Sequence, residues 1–249
     1  GRRHGNQHWT AMLSAHVWTA GWLAAYYLQG VHRGLEGAKQ TGHYYRRRVF
    51  GRHGLTGRRL YLSVWNLAEL YDATKDPQVR EELDERVDRM LRLQEEQGGS
   101  LIMDRYGYTQ VYVARGLGRY YQMTGDPAVR DALVRHAHWV RDNPPRNHEM
   151  ESYLSSISTL LMGYQLSGDD SLYRTAYDRA QALRTDPLPL AISDSTTQDE
   201  FFEALNDVSH LPRSRDSPNR RPIWSITNGL RIFGWTHAYN VPYLMYWLE

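Results

Sequence analysis

The chain has 249 residues, of which 41% are hydrophobic and 23% are charged, as in an ordinary globular protein. Its formal net charge of +2 is far from the basic footprint of a nucleic-acid-binding protein, so no nucleic-acid partner is expected. The sequence contains no cysteine, which excludes disulfides and thiolate metal sites, and no run of eighteen apolar residues that could span a membrane. We therefore expect a soluble protein, either cytoplasmic or exported, without a secretory signal at its start.

Two features of the composition suit a saccharide ligand. Eight Trp and eighteen Tyr outnumber four Phe, and rings with a polar handle can stack on the apolar face of a sugar. Bulky inner helices would need large side chains as well, so packing explains the bias equally well. Nearly all basic residues are arginine, which suits bidentate capture of carboxylates, although codon bias explains this too.

The first predicted helix runs from Trp9 to Leu28 and ends in the first of four similar segments. These segments are Tyr26–Gly30, Tyr71–Asp76, Tyr121–Asp126 and Tyr164–Asp169. Their last residues, 30, 76, 126 and 169, are 46, 50 and 43 residues apart. This period fits a repeat of two helices and two connections.

Each of these segments has the chemistry of a tight turn between two helices. Asp76 and Asp126 are each followed by proline, which places an acceptor at the N-cap and a proline at the first helical position. Gly125 and Gly168 suit the left-handed conformation that ends a preceding helix. The sequence thus predicts one helix ending and another beginning at each turn.

The helices on the two sides of a turn differ in kind. After the turns, apolar residues recur at helical spacing on otherwise charged helices: Val79, Leu83, Val87 and Leu91; Val129, Leu133, Ala137 and Val140; Leu172, Ala176, Ala180 and Leu183. Before the turns, the helices have almost no polar face and must be buried on all sides: Trp9–Leu28, Leu60–Tyr71, Tyr108–Met123 and Tyr153–Leu166.

Inner helices surrounded by outer helices satisfy both patterns. We therefore predict an all-α fold in which helical hairpins form an (α/α)n toroid, as part of an (α/α)6 barrel. The prediction treats residues 1–249 as a single but incomplete domain, with the repeats clearest in 8–185. After Arg184 the alternation of apolar and amphipathic helices ends, and the predicted apolar helix from Ile223 to Tyr239 has no outer partner. A further domain or a missing part of the same protein is expected to pack on this C-terminal helix.

Candidate functional residues gather where outer helices lead into inner ones. These connections are long, and binding residues favour loops held by a rigid scaffold. The candidates are His8 and Trp9; Arg58, Arg59 and Tyr61; Asp104, Arg105, Tyr106, Tyr108 and Gln110; His148, Glu151 and Tyr153; and Trp224 and Asn228. Structural roles are the alternative, because Arg58 or Arg59 could pair with Asp104 and Glu151 could favour a helix dipole.

No metal site or cofactor is expected from the histidines and glycines. No His-Glu-x-x-His pair occurs, and His136 and His138 cannot share a helix face. A calcium site made of loop carboxylates stays open. Gly51, Gly54 and Gly57 do not have the spacing of a nucleotide-binding loop.

The alternation of inner helices ending in Tyr-x-x-Thr-Gly-Asp with amphipathic outer helices resembles the α/α-toroid carbohydrate-active enzymes. These include six-hairpin glycosidases, unsaturated uronyl hydrolases and toroid polysaccharide lyases. The opening stretch, from His8 to Leu28, is similar to exo-rhamnogalacturonan lyase-like proteins. The resemblance covers residues 8–185 and implies a bacterial enzyme of polysaccharide degradation.

We expect a polysaccharide lyase that cleaves a uronate-containing glycan by β-elimination. Arg58, Arg59 or Arg105 would neutralise the carboxylate, while His8, Tyr106 or Tyr108 would act as base and acid. The first alternative is a glycoside hydrolase with Asp104 and Glu151 as its paired carboxylates. Sugar epimerisation and a non-enzymatic HEAT-like scaffold are further alternatives.

Overall fold

The computed structural model describes residues 18–48, 56–102, 109–144 and 150–185, with the side chains of 44–48, 150–154 and 182–185 left aside. These ranges contain eight helices and no strand, which confirms the all-α prediction for this part of the chain. The helices are α1 (Ala20–Gln29), α2 (His32–Arg48), α3 (Gly57–Thr74), α4 (Pro77–Glu96), α5 (Gln110–Thr124), α6 (Pro127–Asp142), α7 (Met150–Ser167) and α8 (Asp170–Thr185). No helix of the described ranges is long and apolar enough to cross a lipid bilayer.

The four predicted turns are present, and each joins two helices through two residues. The Asp76 carboxylate accepts a hydrogen bond from the backbone N–H of Gln78 at 2.9 Å, as an N-cap does. Asp126 and Asp169 make the same contact with the second residue after them, at 2.9 and 2.8 Å. The short turns therefore owe their geometry to local side-chain chemistry.

The residue that ends the inner helix has a positive φ at these turns. Gly125 and Gly168 have φ values of 67° and 73°, as predicted. At the second turn the left-handed residue is Lys75, with a φ of 54°. The backbone N–H of Lys75 still donates to the carbonyl of Tyr71 at 2.7 Å, so this turn closes like the others in spite of its side chain.

The chain divides into two compact units. Within the described ranges, the first unit comprises 18–102 and 111–136, and the second comprises 109–110 and 137–185. In the second unit, α7 packs on α8 through a core that includes Leu160 and Leu172. The arrangement of all hairpins into a toroid, and the single-domain organisation, stay predictions.

Burial confirms the inner and outer character of most helices. On α3, residues 60–68 are buried without interruption, and on α7 residues 155–163 are as well. On the outer helices only one stripe is buried, for example Val79, Leu83 and Val87 of α4. A helix buried around its whole circumference has to be apolar around its whole circumference, as the sequence indicated.

The first apolar helix departs from this pattern. Leu23 is the buried residue of α1, whereas Trp22 is 50% exposed and Leu28 is 83% exposed. The expectation that the helix from Trp9 to Leu28 is buried on all sides is therefore wrong for its described part. The physical reason is that α2 and α3 cover α1 on one side, so the rest of its surface faces solvent.

Two close contacts fix the first unit around α3. The side chain of Asn66 accepts hydrogen bonds from the backbone N–H and the hydroxyl of Thr19 at 2.8 and 2.9 Å, next to the start of α1. Next to this contact, Gly116 of α5 lies against the backbone of Trp65, since a Cβ at position 116 would be 2.9 Å from the Trp65 nitrogen. These contacts set the spacing of the side chains that form the candidate site.

Candidate functional site

The structure describes the side chains of four predicted site residues. Arg58, Arg59 and Tyr61 lie in the first turns of α3, and Gln110 begins α5. Glu151 and Tyr153 lie in α7, but their side chains are outside the described set. The remaining candidates lie outside the described residues: His8, Trp9, Asp104, Arg105, Tyr106, Tyr108, His148, Trp224 and Asn228.

These four residues differ in exposure. Arg58 and Arg59 are partly exposed, as binding residues should be. Tyr61 is fully buried, at 0% exposure, so in this conformation its ring packs in the core. Gln110 is buried, and its Oε1 atom has no hydrogen-bond partner among the residues that the structure describes. A buried acceptor without a partner is costly, so Gln110 keeps its place as a candidate for binding a polar group.

Arg58 belongs to a set of three rings and two guanidinium groups. The rings of Trp65 and Tyr112 are stacked with their centroids 6.0 Å apart, and the ring of Trp18 contacts both edge-on at 5.6 and 5.4 Å. Arg58 lies over Tyr112, with 5.5 Å from the guanidinium carbon to the ring centroid. Arg115 lies over Trp65 in the same way at 5.7 Å. We call these five residues the arginine–aromatic cluster.

The cluster is reciprocal between two inner helices. An arginine of α3 covers a ring of α5, and an arginine of α5 covers a ring of α3. Arg58 and Trp65 are seven residues apart, two turns of the same helix face, and Tyr112 and Arg115 are three apart. Trp65 and Tyr112 are only 2% and 1% exposed, whereas Trp18 and both arginines are partly exposed. The accessible part of the cluster thus consists of the two arginines and the Trp18 ring, next to the buried rings of Trp65 and Tyr112.

Sequence reasoning selected Arg58 but missed the rest of this cluster. Trp65, Tyr112 and Arg115 lie inside helices that were interpreted as uniformly apolar. The available signal was the spacing of Arg115 and Arg119, two charges one turn apart on one face of an otherwise apolar helix. A charge at such a position indicates a face that reaches solvent or a cavity.

Polar contacts continue along α3 beyond the cluster. The indole N–H of Trp65 donates to the Glu69 carboxylate at 3.2 Å. One turn further, Asp72 pairs with Lys75 at 2.8 Å and with Arg119 of α5. The hydrogen bond from Lys75 and the charge of Arg119 lower the pKa of Asp72 below its usual value. Along their contact, α3 and α5 therefore share first the arginine–aromatic cluster and then the ion pair of Asp72 with Arg119.

A third arginine that lies over a ring, Arg80, has a purely structural environment. The Arg80 guanidinium lies 5.2 Å from the Tyr120 ring centroid and donates from Nε to Asp84 at 2.6 and 2.8 Å. The Tyr120 hydroxyl donates to the same carboxylate at 2.8 Å. Burial and the Asp84 carboxylate raise the pKa of Tyr120 to about 12. The charge of Arg80 is thus balanced within its own set.

The described residues offer no evident metal site. No group of three or more histidines and carboxylates in these ranges could hold an ion. A cavity of about 380 Å³ lies between α2 and the α3–α4 turn, and it is lined by Lys39, Gln40, His43, Leu70, Thr74, Asp76 and Val79. None of the predicted site residues lines it, and Thr74 and Asp76 already hold the turn together.

Comparison with known proteins leaves the family open. No protein-family model, no curated protein and no solved structure matches this chain. The resemblance to toroid carbohydrate-active enzymes therefore stays a prediction, and function has to be argued from the side chains themselves.

Proposed function

We propose that this protein is a carbohydrate-active enzyme with an α/α-toroid fold, a polysaccharide lyase that cleaves a uronate-containing glycan by β-elimination. The observation that carries the proposal is the arginine–aromatic cluster, in which two partly exposed arginine residues lie over buried rings. A uronate has the complementary chemistry, because it combines an apolar sugar face with a carboxylate.

The reaction requires charge neutralisation before proton transfer. A guanidinium bound to the uronate carboxylate stabilises the negative charge that develops when a base removes the proton at C5. The electron pair then forms the C4–C5 double bond as the C4–O bond breaks, and an acid protonates the departing oxygen. Arg58 and Arg59, on the partly exposed first turn of α3, are proposed for neutralisation. His8, Tyr106 and Tyr108 are proposed as base and acid.

Product analysis on a panel of polyuronates tests this function. The lyase reaction yields an unsaturated uronate that absorbs in the ultraviolet, together with one new reducing end for each cleavage. New reducing ends without absorbance would contradict elimination and favour hydrolysis by Asp104 and Glu151. Binding without any product would indicate a non-enzymatic helical scaffold.

Replacement of Arg59 tests the proposed role of the α3 start. Arg59→Ala should reduce the elimination rate by about 100-fold or more, because a preorganised charge on a developing anion typically contributes this much. Arg92→Ala, at an exposed position of the outer helix α4, is the matched control and should keep full activity. An Arg59→Ala protein with an unchanged rate and unchanged thermal unfolding would reject this assignment.

A further inference from the structure

Among the described residues, the cavity between α2 and the α3–α4 turn shares no member with the arginine–aromatic cluster. Its volume of about 380 Å³ lies within the range of about 300–1,000 Å³ that is usual for small-molecule sites. Leu70 and Val79 form its apolar part, and they are only 2% and 4% exposed. Aliphatic side chains held in the core in this way give a ligand a fixed apolar surface to pack against.

One stretch of α2 supplies polar side chains to the same cavity. Gln40 and His43 are three residues apart and Lys39 and His43 are four apart, so they occupy neighbouring positions of the helix surface. Lys39 already pairs with Glu36 at 3.1 Å. Gln40 and His43 are exposed, and neither makes a hydrogen bond or an ion pair with another described residue. Their carboxamide and imidazole groups, which can donate and accept, are therefore the groups of α2 that a ligand can use.

The α3–α4 turn supplies a carboxylate oxygen to the cavity. Asp76 uses Oδ1 to accept the backbone N–H of Gln78 at 2.9 Å. Its second oxygen accepts no hydrogen bond from the residues that the structure describes. The Thr74 hydroxyl is already engaged, since it donates to the carbonyl of Leu70 at 2.8 Å and accepts the N–H of Asp76 at 3.3 Å. The turn thus offers a ligand one carboxylate oxygen, which is a strong acceptor.

We propose that this cavity is a second saccharide site, which binds a neutral sugar unit and takes no part in cleavage. Sugar hydroxyls donate and accept hydrogen bonds, so they match the available groups of Gln40, His43 and Asp76, while the C–H face of the ring matches the aliphatic part. Lys39 and Asp76 carry opposite charges, so the lining favours a neutral ligand, and the Asp76 oxygen would repel the carboxylate of a uronate. The inference goes beyond the proposed function, which assigns the uronate to the arginine–aromatic cluster.

Titration with methyl galactoside and methyl glucoside, followed by saturation-transfer NMR, tests the inference. The wild-type protein should bind at least one of these glycosides. Asp76→Asn should weaken this binding about 10-fold or more, because a hydrogen bond to a charged acceptor is lost. Asparagine still accepts the N–H of Gln78 with its oxygen and so keeps the N-cap, but it replaces the second oxygen by an amino group.

Asp126→Asn is the matched control, because it makes the same change at the N-cap of the next outer helix, α6. Asp126 lies outside the lining of the cavity, so this variant should keep the wild-type affinity. Gln40→Ala and His43→Ala should each weaken binding about 2- to 10-fold, since each removes a hydrogen bond of a neutral group. These two variants change exposed positions, and they replace Asp76→Asn if thermal unfolding shows that Asp76→Asn does not fold.

The outcomes separate this inference from the proposed function. If the wild-type protein binds neither glycoside, or if all three cavity variants keep its affinity, the cavity is not a sugar site and the inference is wrong. Binding of free leucine that the same variants weaken, without binding of either glycoside, would assign the cavity to a zwitterionic amino acid and also overturn it. Cleavage of polyuronates is measured separately. A protein that binds the glycosides through the cavity but cleaves no polyuronate supports this inference and contradicts the lyase.

Discussion

The first and third helices are similarly apolar in sequence but differ in their surroundings. Leu67 of α3 is 0% exposed, whereas Leu28 of α1 is 83% exposed. α3 contacts α1, α2 and α4, and it meets α5 at Gly116, so neighbours cover it all round. Within the described ranges α1 packs mainly on α2 and α3, and Trp22, Tyr27 and Leu28 are exposed. Apolar composition therefore identifies a helix that benefits from burial, but its neighbours decide how much burial it obtains.

The largest effect is expected from a matched pair of leucine truncations that compares the burial of α3 with that of α1. Leu67→Ala should lower the free energy of unfolding by about 2–5 kcal/mol, because it removes a fully buried side chain and leaves a cavity. Leu28→Ala should change the free energy of unfolding by less than about 0.5 kcal/mol. Denaturant unfolding followed by circular dichroism measures both values. Equal effects would mean that α1 is covered in solution and would remove the contrast.

The contact that joins the two helices gives the next effect in size. Asn66→Ala should lower the free energy of unfolding by about 1–3 kcal/mol, because it leaves the buried Thr19 N–H without its acceptor. Asn143→Ala removes an exposed side-chain hydrogen bond at the end of α6 and is the control. A loss no greater in Asn66→Ala than in Asn143→Ala would show that α1 is not held to α3 by this contact.

The buried His136 should make the stability of the folded protein depend on pH. Burial lowers the pKa of His136 from 6.5 to about 3, and its Nδ1 accepts the backbone N–H of Leu101 at 3.2 Å. The unfolded chain takes up this proton below pH 6.5 but the folded chain does so only near pH 3, so stability falls as the pH falls through this window. The contribution is about 1.4 kcal/mol per pH unit.

Unfolding measured at pH 7 and at pH 5.5 tests the role of this histidine. In His136→Gln the loss of stability on acidification should be smaller by about 1 kcal/mol than in the wild-type protein. If His136→Gln and the wild-type protein lose the same stability, the imidazole is accessible to protons in the folded state.

Local sequence determines much of this fold. The N-cap at Asp76, the left-handed Gly125 and the apolar stripe of α4 each depend on residues within a few positions, so all were predictable. The left-handed conformation of Lys75 was not predictable from the residue type, because a side chain with a Cβ disfavours a positive φ.

The site was less accessible to sequence reasoning because it depends on how two helices meet. Arg58 was selected from its place at a helix start, but its partner Tyr112 is 54 residues away and is brought near by the approach of Gly116 to Trp65. Periodicity shows that α3 is buried but not which residue of α5 each of its faces meets. For this reason Tyr61 was grouped with Arg58, although Trp65 is the residue of α3 that shares the cluster.

The reciprocal contacts of α3 and α5 tie the arginine–aromatic cluster to the register of the two helices. Sliding either helix by one turn would displace Arg58 from Tyr112 and Arg115 from Trp65 in the same movement, since each helix supplies one cation and one ring. Neither helix can preserve half of the arrangement alone. The effects of mutations at the two arginines on the free energy of unfolding should thus be non-additive, because both contacts depend on the same helix register.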